Sequence, residues 1–411
     1  MAICLLLASI IFLTNIPNSP LLAEPKVIIV TEEDNLQKII NNAQQGDIIY
    51  LKKGNYTQYR IMVNKSLTIV GEDPEKTIIS GNNQEDATVI LDILADHVTI
   101  KNLTFTEAAP DIGRALILTN VKNVTIQDCI IYACSYGIEI NNSSSNNNIM
   151  RNNITQTSYA ISFAGGSQSN IVAYNNIYNN SVGISFAGLN DINNKIYNNN
   201  FINNMYHISL NGSSHSNVWD DDYPSGGNYW SDCNGADVFS GVYQNETGSD
   251  GIGDEPYQYQ DQDLDKYPYM RKIHCFEALK TDNFGYFVIV STNSTQISNF
   301  TFKAEQKSIS FTVSQSSPAY CRIIIPNKLL HAETNEWIIT ADSEKVNDYT
   351  AISNQEFTAL FFTYPPETNQ ITIKGTTAIP ELTPILTLIL ITISAIMLVM
   401  IIKNQNGTSL T

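Results

Sequence analysis

The chain has 411 residues and a formal net charge of −17, with Asp+Glu 40 against Lys+Arg 23. That length allows two or three domains with a sizeable core, and the shortage of basic residues excludes a nucleic-acid partner, which needs a basic face. Plentiful β-branched and aromatic residues exclude a disordered chain. Charged residues make up 15% of the sequence, and Asn fills much of the polar share at roughly one residue in nine.

In chain order, residues 1–23 come first, with an apolar run from Ile3 to Leu13. They read as a signal peptide or N-terminal anchor. Leu36, Ile39, Ile40 and Ala43 then share one face of a helix. A solenoid exposes its end coil and needs a cap, and this amphipathic helix suits that place.

Residues 24–218 read as a repeat. Tyr136–Ile140, Tyr159–Phe163, Val182–Phe186 and Tyr206–Leu210 are versions of one short strand, with Ile138, Ile161, Ile184 and Ile208 spaced 23, 23 and 24 apart. A period this short holds two or three strands of about four residues joined by tight turns. Equivalent residues then stack about 4.8 Å apart, which is a parallel β-helix. Asn tolerates left-handed turns and bonds along a ladder, so the Asn runs mark turns and ladders. The residues between the core positions, Ile117, Glu139, Ser162, Ser185 and Ser209, point outward.

Residues 219–272 form an acidic module that ends the repeat. Twelve carboxylates and no Lys or Arg fall between 219 and 265, so about two-thirds of the net charge sits there. Trp219, Tyr223, Tyr229 and Trp230 would pack over the last coil. Residues 275–376 lose the period and carry about seven strand-like runs, the pattern of an Ig-like β-sandwich. Leu382 to Ile402 has no charge, and 21 residues at 1.5 Å each span about 30 Å, one bilayer core. Residues 403–411 would be a cytoplasmic tail after Lys403, with the large middle outside the cell.

The stretch NLQKIINNAQQGDIIYLKKGNYTQYRIMVNKSLTIVGEDPEKTIISG resembles the opening of NosD-like, carbohydrate-binding and sugar-hydrolase type right-handed β-helix proteins. NVWDDDYPSGGNYWSDCNGADVFSGVYQNETGSDGIGDEPYQYQDQDLDKYPYM is similar to the terminal module of the same group, common in archaeal surface proteins. The resemblance covers roughly residues 27–270 and implies the fold. It also implies copper delivery or polysaccharide chemistry, because one fold hosts many activities.

The expected fold is therefore all-β: a right-handed parallel β-helix with an N-terminal capping helix, then a sandwich and one transmembrane helix. The leading function is a membrane-anchored, non-enzymatic surface protein for adhesion, envelope structure or glycan binding, with polysaccharide or surface-layer components as partners. A polysaccharide lyase or hydrolase is the alternative, but it needs converging carboxylates. The outward row offers Glu139 alone, with Arg151 as its nearest expected partner, and no catalytic residue is assigned. Tyr136, Tyr159, Tyr174 and Tyr197 are the candidate sugar-stacking faces, although Tyr136 and Tyr159, one coil apart, also suit stacking on each other. Asp250, Asp254, Asp261, Asp263 and Asp265, hard oxygen ligands in Gly-rich turns, are the candidate calcium ligands. A NosD-like periplasmic copper protein is the third reading; Met205, His207 and His215 come nearest to a copper group.

Overall fold

The computed structural model describes residues 24–188, 190–210, 216–259, 263–280 and 285–379. The expected signal (1–23), membrane span (382–402) and tail (403–411) lie outside the described residues. Among the described residues, no helix is long and apolar enough to cross a membrane.

Residues from Val27 to Trp230 form a parallel β-helix of about eight turns. One sheet stacks eight parallel strands, from Val27–Val30 to Lys195–Tyr197. A 13-stranded sheet makes the other two faces and folds over a corner, because Ile130–Asn141 and Asn153–Phe163 each run through that corner. The register is strict. Ile138 pairs with Ile161, Ile161 with Ile184, and Ile184 with Ile208, so isoleucine stacks along this core column. The outward row is in register too: Ile117, Glu139, Ser162, Ser185 and Ser209 are successive partners.

Left-handed residues turn the corners. One column of positive φ runs through Asn102, Asp128, Arg151, Tyr174 and Asn198; another runs through Glu107, Ala133, Gln156, Asn179 and Asn203. Beside these bends, buried asparagines form ladders inside the coil. Asn152, Asn175, Asn199 and Asn228 are linked amide to amide at 2.9–3.0 Å. Asn147, Asn170, Asn194 and Asn217 repeat the pattern. Each Nδ2 also donates to a backbone carbonyl, as Asn175 does to Ile149 O at 2.8 Å. A tight corner leaves backbone groups that no neighbouring strand can satisfy, and the ladders supply the partners.

The helix forms at Leu36–Asn42. The Asn35 side chain accepts from Lys38 N, Lys65 Nζ donates to the Ile40, Asn41 and Ala43 carbonyls, and Leu36 and Ile40 are buried in the solenoid core. At the other end, Trp219 and Trp230 are buried in the same core. Trp230 stacks between Phe201 and Tyr257, with ring centroids 4.3 and 4.2 Å away.

Two five-stranded antiparallel sheets follow, with a separate core that includes Val288, Phe311, Ile323, Trp337 and Phe362. The expected strand-like runs fall in strands, apart from Trp337, which precedes the strand Ile338–Ala341; Ile273–Lys280, Glu344–Val346 and Tyr349–Ser353 complete the sheets. The sandwich is tied to the β-helix. The Arg322 guanidinium, 1% exposed, donates to Asp250 O at 2.6 Å and Pro224 O at 2.5 Å. Its charge is matched by the buried Asp250 carboxylate at 3.9 Å.

Candidate functional site

A groove of about 750 Å³ runs along the outside of the β-helix, at the corner where the 13-stranded sheet folds over. Its lining repeats once per coil. Ala133, Gln156, Asn179 and Asn203 hold the left-handed bend with φ of 51–55°. Ser135, Ser158 and Ser181 follow two residues on. Under this floor Thr157 and Asn180 continue an inner ladder, with Thr157 Oγ1 donating to Asn180 Oδ1 at 2.8 Å and Asn180 Nδ2 to Asn204 Oδ1 at 3.0 Å. The bend aims the Gln156, Asn179 and Asn203 side chains outward, and all three are exposed. Asp111 is the one ionisable side chain among the lining residues other than Cys134, whose thiol burial pushes up to about 11. The groove therefore presents neutral hydroxyls and amides at a spacing of about 4.8 Å. It went unseen in the sequence because its residues look like turn formers; the signal was the in-phase column of polar residues.

The sheet face next to the groove carries one pair of the tyrosines. Tyr136 and Tyr159 stack on each other at 4.9 Å, and the Arg114 guanidinium lies over the Tyr136 ring at 5.0 Å. Tyr174 and Tyr197 meet edge to face at 5.8 Å, at a different corner beside the sandwich. The four candidates thus form two separate pairs.

Glu139 does not pair with Arg151. Its carboxylate is bonded to Arg114 and accepts from Asn141 Nδ2 at 3.0 Å. Arg151 lies at another corner, where it grips Asp128 with two bonds of 2.8 Å. Sequence spacing cannot place a long side chain across coils, and Arg114, one coil before Glu139, reaches it first.

Four described carboxylates of the acidic module, Asp237, Asp250, Asp254 and Asp265, are bonded to the protein itself. Asp265, fully buried, accepts from Asn228 N, Trp230 Nε1 and Tyr267 N. Burial still outweighs these bonds and pushes its pKa up to about 7. Asp254 accepts from Val238 N and Phe239 N, and Asp250 accepts from Ile252 N beside Arg322. Asp237, absent from the sequence-based set, clamps Asp250 N and Gly251 N, and burial pushes it up to about 6. Asp261 and the Asp263 side chain lie outside the described residues. Among the described residues, no three His, Cys, Asp or Glu converge as metal ligands.

Soft donors are dispersed. Met205 is 74% exposed and precedes its strand, whereas His207 is buried against Phe201 and Trp230. The two do not share a side, and His215 lies outside the described residues. The Cys129 and Cys275 thiols are pushed up to about 12 by burial, and Cys321 is raised further. These groups stay protonated at neutral pH, whereas copper takes thiolate, imidazole or thioether clusters. The donor set described here does not fit a copper site.

A family model described as periplasmic copper-binding protein (NosD) matches residues 26–235. Two Arabidopsis thaliana proteins match shorter stretches. A putative pectinesterase/pectinesterase inhibitor 28 is 27% identical over 141 residues, 30% of this chain and 18% of that protein. A probable pectinesterase/pectinesterase inhibitor 21 is 27% identical over 130 residues, 28% of this chain and 19% of that one. The chain thus spans under a fifth of the length of these relatives. Among solved structures, the catalytic domain of a GH87 alpha-1,3-glucanase in complex with nigerose matches with a TM-score of 0.42 and 18% identity, covering 63% of this chain and 48% of that one. An alginate lyase from Paenibacillus sp. str. FPU-7 matches with a TM-score of 0.33 and 15% identity, covering 50% and 97%. On the match across its β-helix, the chain belongs to the NosD family.

Proposed function

We propose that the protein binds a neutral, linear glycan along the corner groove at the cell surface, without cleaving it, in an adhesive or envelope role. In this reading the 382–402 run holds the chain to the membrane, and the Leu36–Asn42 helix closes the exposed end of the solenoid. The observation that carries the proposal is the groove itself: hydroxyls and amides repeated coil after coil, with Asp111 the one carboxylate in the lining. A polymer of repeating hydroxyls is matched by a repeating row of neutral donors and acceptors. Hydrolysis of a glycosidic bond instead takes two carboxylates flanking the bond. Copper handling draws no support from the dispersed soft donors.

The test offers the purified protein a panel of neutral and acidic polysaccharides, measuring retention and new reducing ends together. Retention by a neutral glycan without new ends is expected. Gln156→Ala combined with Asn203→Ala should weaken retention at least tenfold. Chain cleavage, or no retention by any member of the panel, would refute the proposal. Membrane extraction of the full chain against a chain ending at residue 379 tests the anchor: the shorter chain should appear in the soluble fraction.

A further inference from the structure

A second cavity, about 290 Å³, lies where the β-helix meets the sandwich. One wall is the left-handed corner of Asp128, Arg151, Tyr174 and Asn198; the facing wall is the sandwich strand around Cys275. Both walls are fixed. Asn200 exchanges two bonds with the backbone of Ile273, at 2.7 and 2.8 Å. The Arg151 guanidinium lies over the Phe287 ring at 4.1 Å while holding Asp128 with two bonds.

One side chain in this cavity is unaccounted for. Asn198 is 0% exposed, and neither its Nδ2 nor its Oδ1 has a hydrogen-bond partner. Every other Asn buried to that degree in the β-helix belongs to a ladder, as Asn152, Asn175 and Asn199 do. A buried amide with both ends unmet costs stability, about 1–3 kcal/mol for each unmet group, and calls for a partner the protein does not supply. The Tyr174 phenol stands beside it, near enough for the amide to offset a little of the rise that burial imposes on the phenol.

We propose that this junction cavity is a binding site for one small neutral polyol, of the class of a single sugar ring, held by the Asn198 amide and the Tyr174 hydroxyl. Charge decides the class. Arg151 is paired with Asp128 and stacked on Phe287, and Lys272 is exposed with its charge in solvent, so an anion gains little. A cation would meet Arg151 and Lys272. A neutral molecule carrying both donors and acceptors satisfies both ends of the amide. Size decides the rest: about 290 Å³ sits at the lower edge of ligand pockets, enough for one ring and not for an oligosaccharide. The sugar class rests on the glycan reading above; the site itself does not.

The test follows the melting of the full-length protein with glucose, galactose, N-acetylglucosamine and myo-inositol over a concentration series. A ligand of the native state raises the melting temperature with the logarithm of its free concentration. At least one probe should do so, and Asn198→Ala should weaken the apparent affinity tenfold or more. Tyr174→Phe keeps the ring and should weaken it several-fold, so a fold defect in Asn198→Ala does not decide the matter. No shift with any probe, meaning a cavity filled by solvent only, would overturn the proposal. So would a shift that both variants leave unchanged. Gln156→Ala, in the groove, should lower polysaccharide retention and leave the monosaccharide shift intact. Polysaccharide retention without a monosaccharide shift overturns this site alone, and the reverse overturns the groove alone.

Discussion

Replacing Asn175 by Ala removes one rung from an inner ladder and tests whether the asparagines hold the solenoid together. Asn175 is completely buried. Its Oδ1 accepts from Asn152 N at 2.9 Å and Asn152 Nδ2 at 3.0 Å. Its Nδ2 donates to Ile149 O at 2.8 Å and Asn199 Oδ1 at 2.9 Å. Alanine leaves the Asn152 N–H without its acceptor, at a cost of about 1–3 kcal/mol, and removes three further bonds worth about 1 kcal/mol each. The sum is about 4–6 kcal/mol. At about 2–4 °C per kcal/mol for a unit of this size, the melting temperature should fall by roughly 8–24 °C. Asn175→Asp should be worse, because a carboxylate oxygen would then face the Ile149 carbonyl and Asn199 Oδ1 with no donor between them. Ser158→Ala, exposed on the outer side of a neighbouring strand, is the control and should change stability by less than about 0.5 kcal/mol. Urea unfolding followed by circular dichroism measures all three. If Asn175→Ala falls within about 1 kcal/mol of Ser158→Ala, the ladder is ornament and the reasoning fails.

Four more outcomes are expected. Asp265 and Asp237 have folded pKa values raised to about 7 and about 6, so their contribution is fully present below about 4 and is lost as pH rises through those values; Asp265→Asn should flatten the fall in melting temperature between pH 5 and 8, and an unchanged slope would refute it. Arg322→Met leaves the Asp250 carboxylate buried and unpaired, a loss of about 3–5 kcal/mol, and should split the melting curve as the sandwich uncouples from the β-helix. The buried thiols of Cys129, Cys134 and Cys321 should resist alkylation until the protein unfolds, whereas Cys233 and Cys275, half-buried, react before them in the native state; mass mapping of a short labelling pulse reads this. Glu139→Gln should leave glycan retention within about twofold, since Glu139 is held by Arg114 and Asn141 away from the groove; a large loss would move the site onto the sheet face.

The fold was legible because a solenoid writes its register into the chain. A core position recurs every 23 or 24 residues, and nothing but stacking satisfies it. Ile138, Ile161 and Ile184 could be placed over one another without coordinates, and so could the outward row from Ile117 to Ser209. The sites were less legible for the same reason. A residue at a left-handed corner and one in the ladder beside it are adjacent in sequence and alike in type, yet only one is bonded from coil to coil. Asn198 and Asn199 show this: both are buried, but one completes a ladder while the other stands in a cavity unpaired. Side-chain reach was equally hidden, which is why Glu139 was matched with Arg151 and not with Arg114.

The acidity of the module after the repeat has a structural cause. A parallel coil ends on a row of donors with no next coil to accept them, and the inner ladder of Asn152, Asn175, Asn199 and Asn228 ends on the donors of Asn228. An asparagine in the next position would bring its own donors and pass the problem on. A carboxylate brings acceptors alone, and Asp265 stands there, taking Asn228 N with one oxygen and Tyr267 N with the other. The same need recurs around the hairpin of Phe239–Ser240 and Glu246–Thr247, where Asp237 and Asp254 each take two backbone donors. Aspartates that terminate hydrogen-bond chains are spent where they stand. A calcium ion at these described residues would have to displace backbone N–H groups from Asp237, Asp254 and Asp265 in turn. Melting in millimolar Ca²⁺ against chelator should therefore differ little, and a strong rise would show that the carboxylates rearrange around an ion instead of closing the coil.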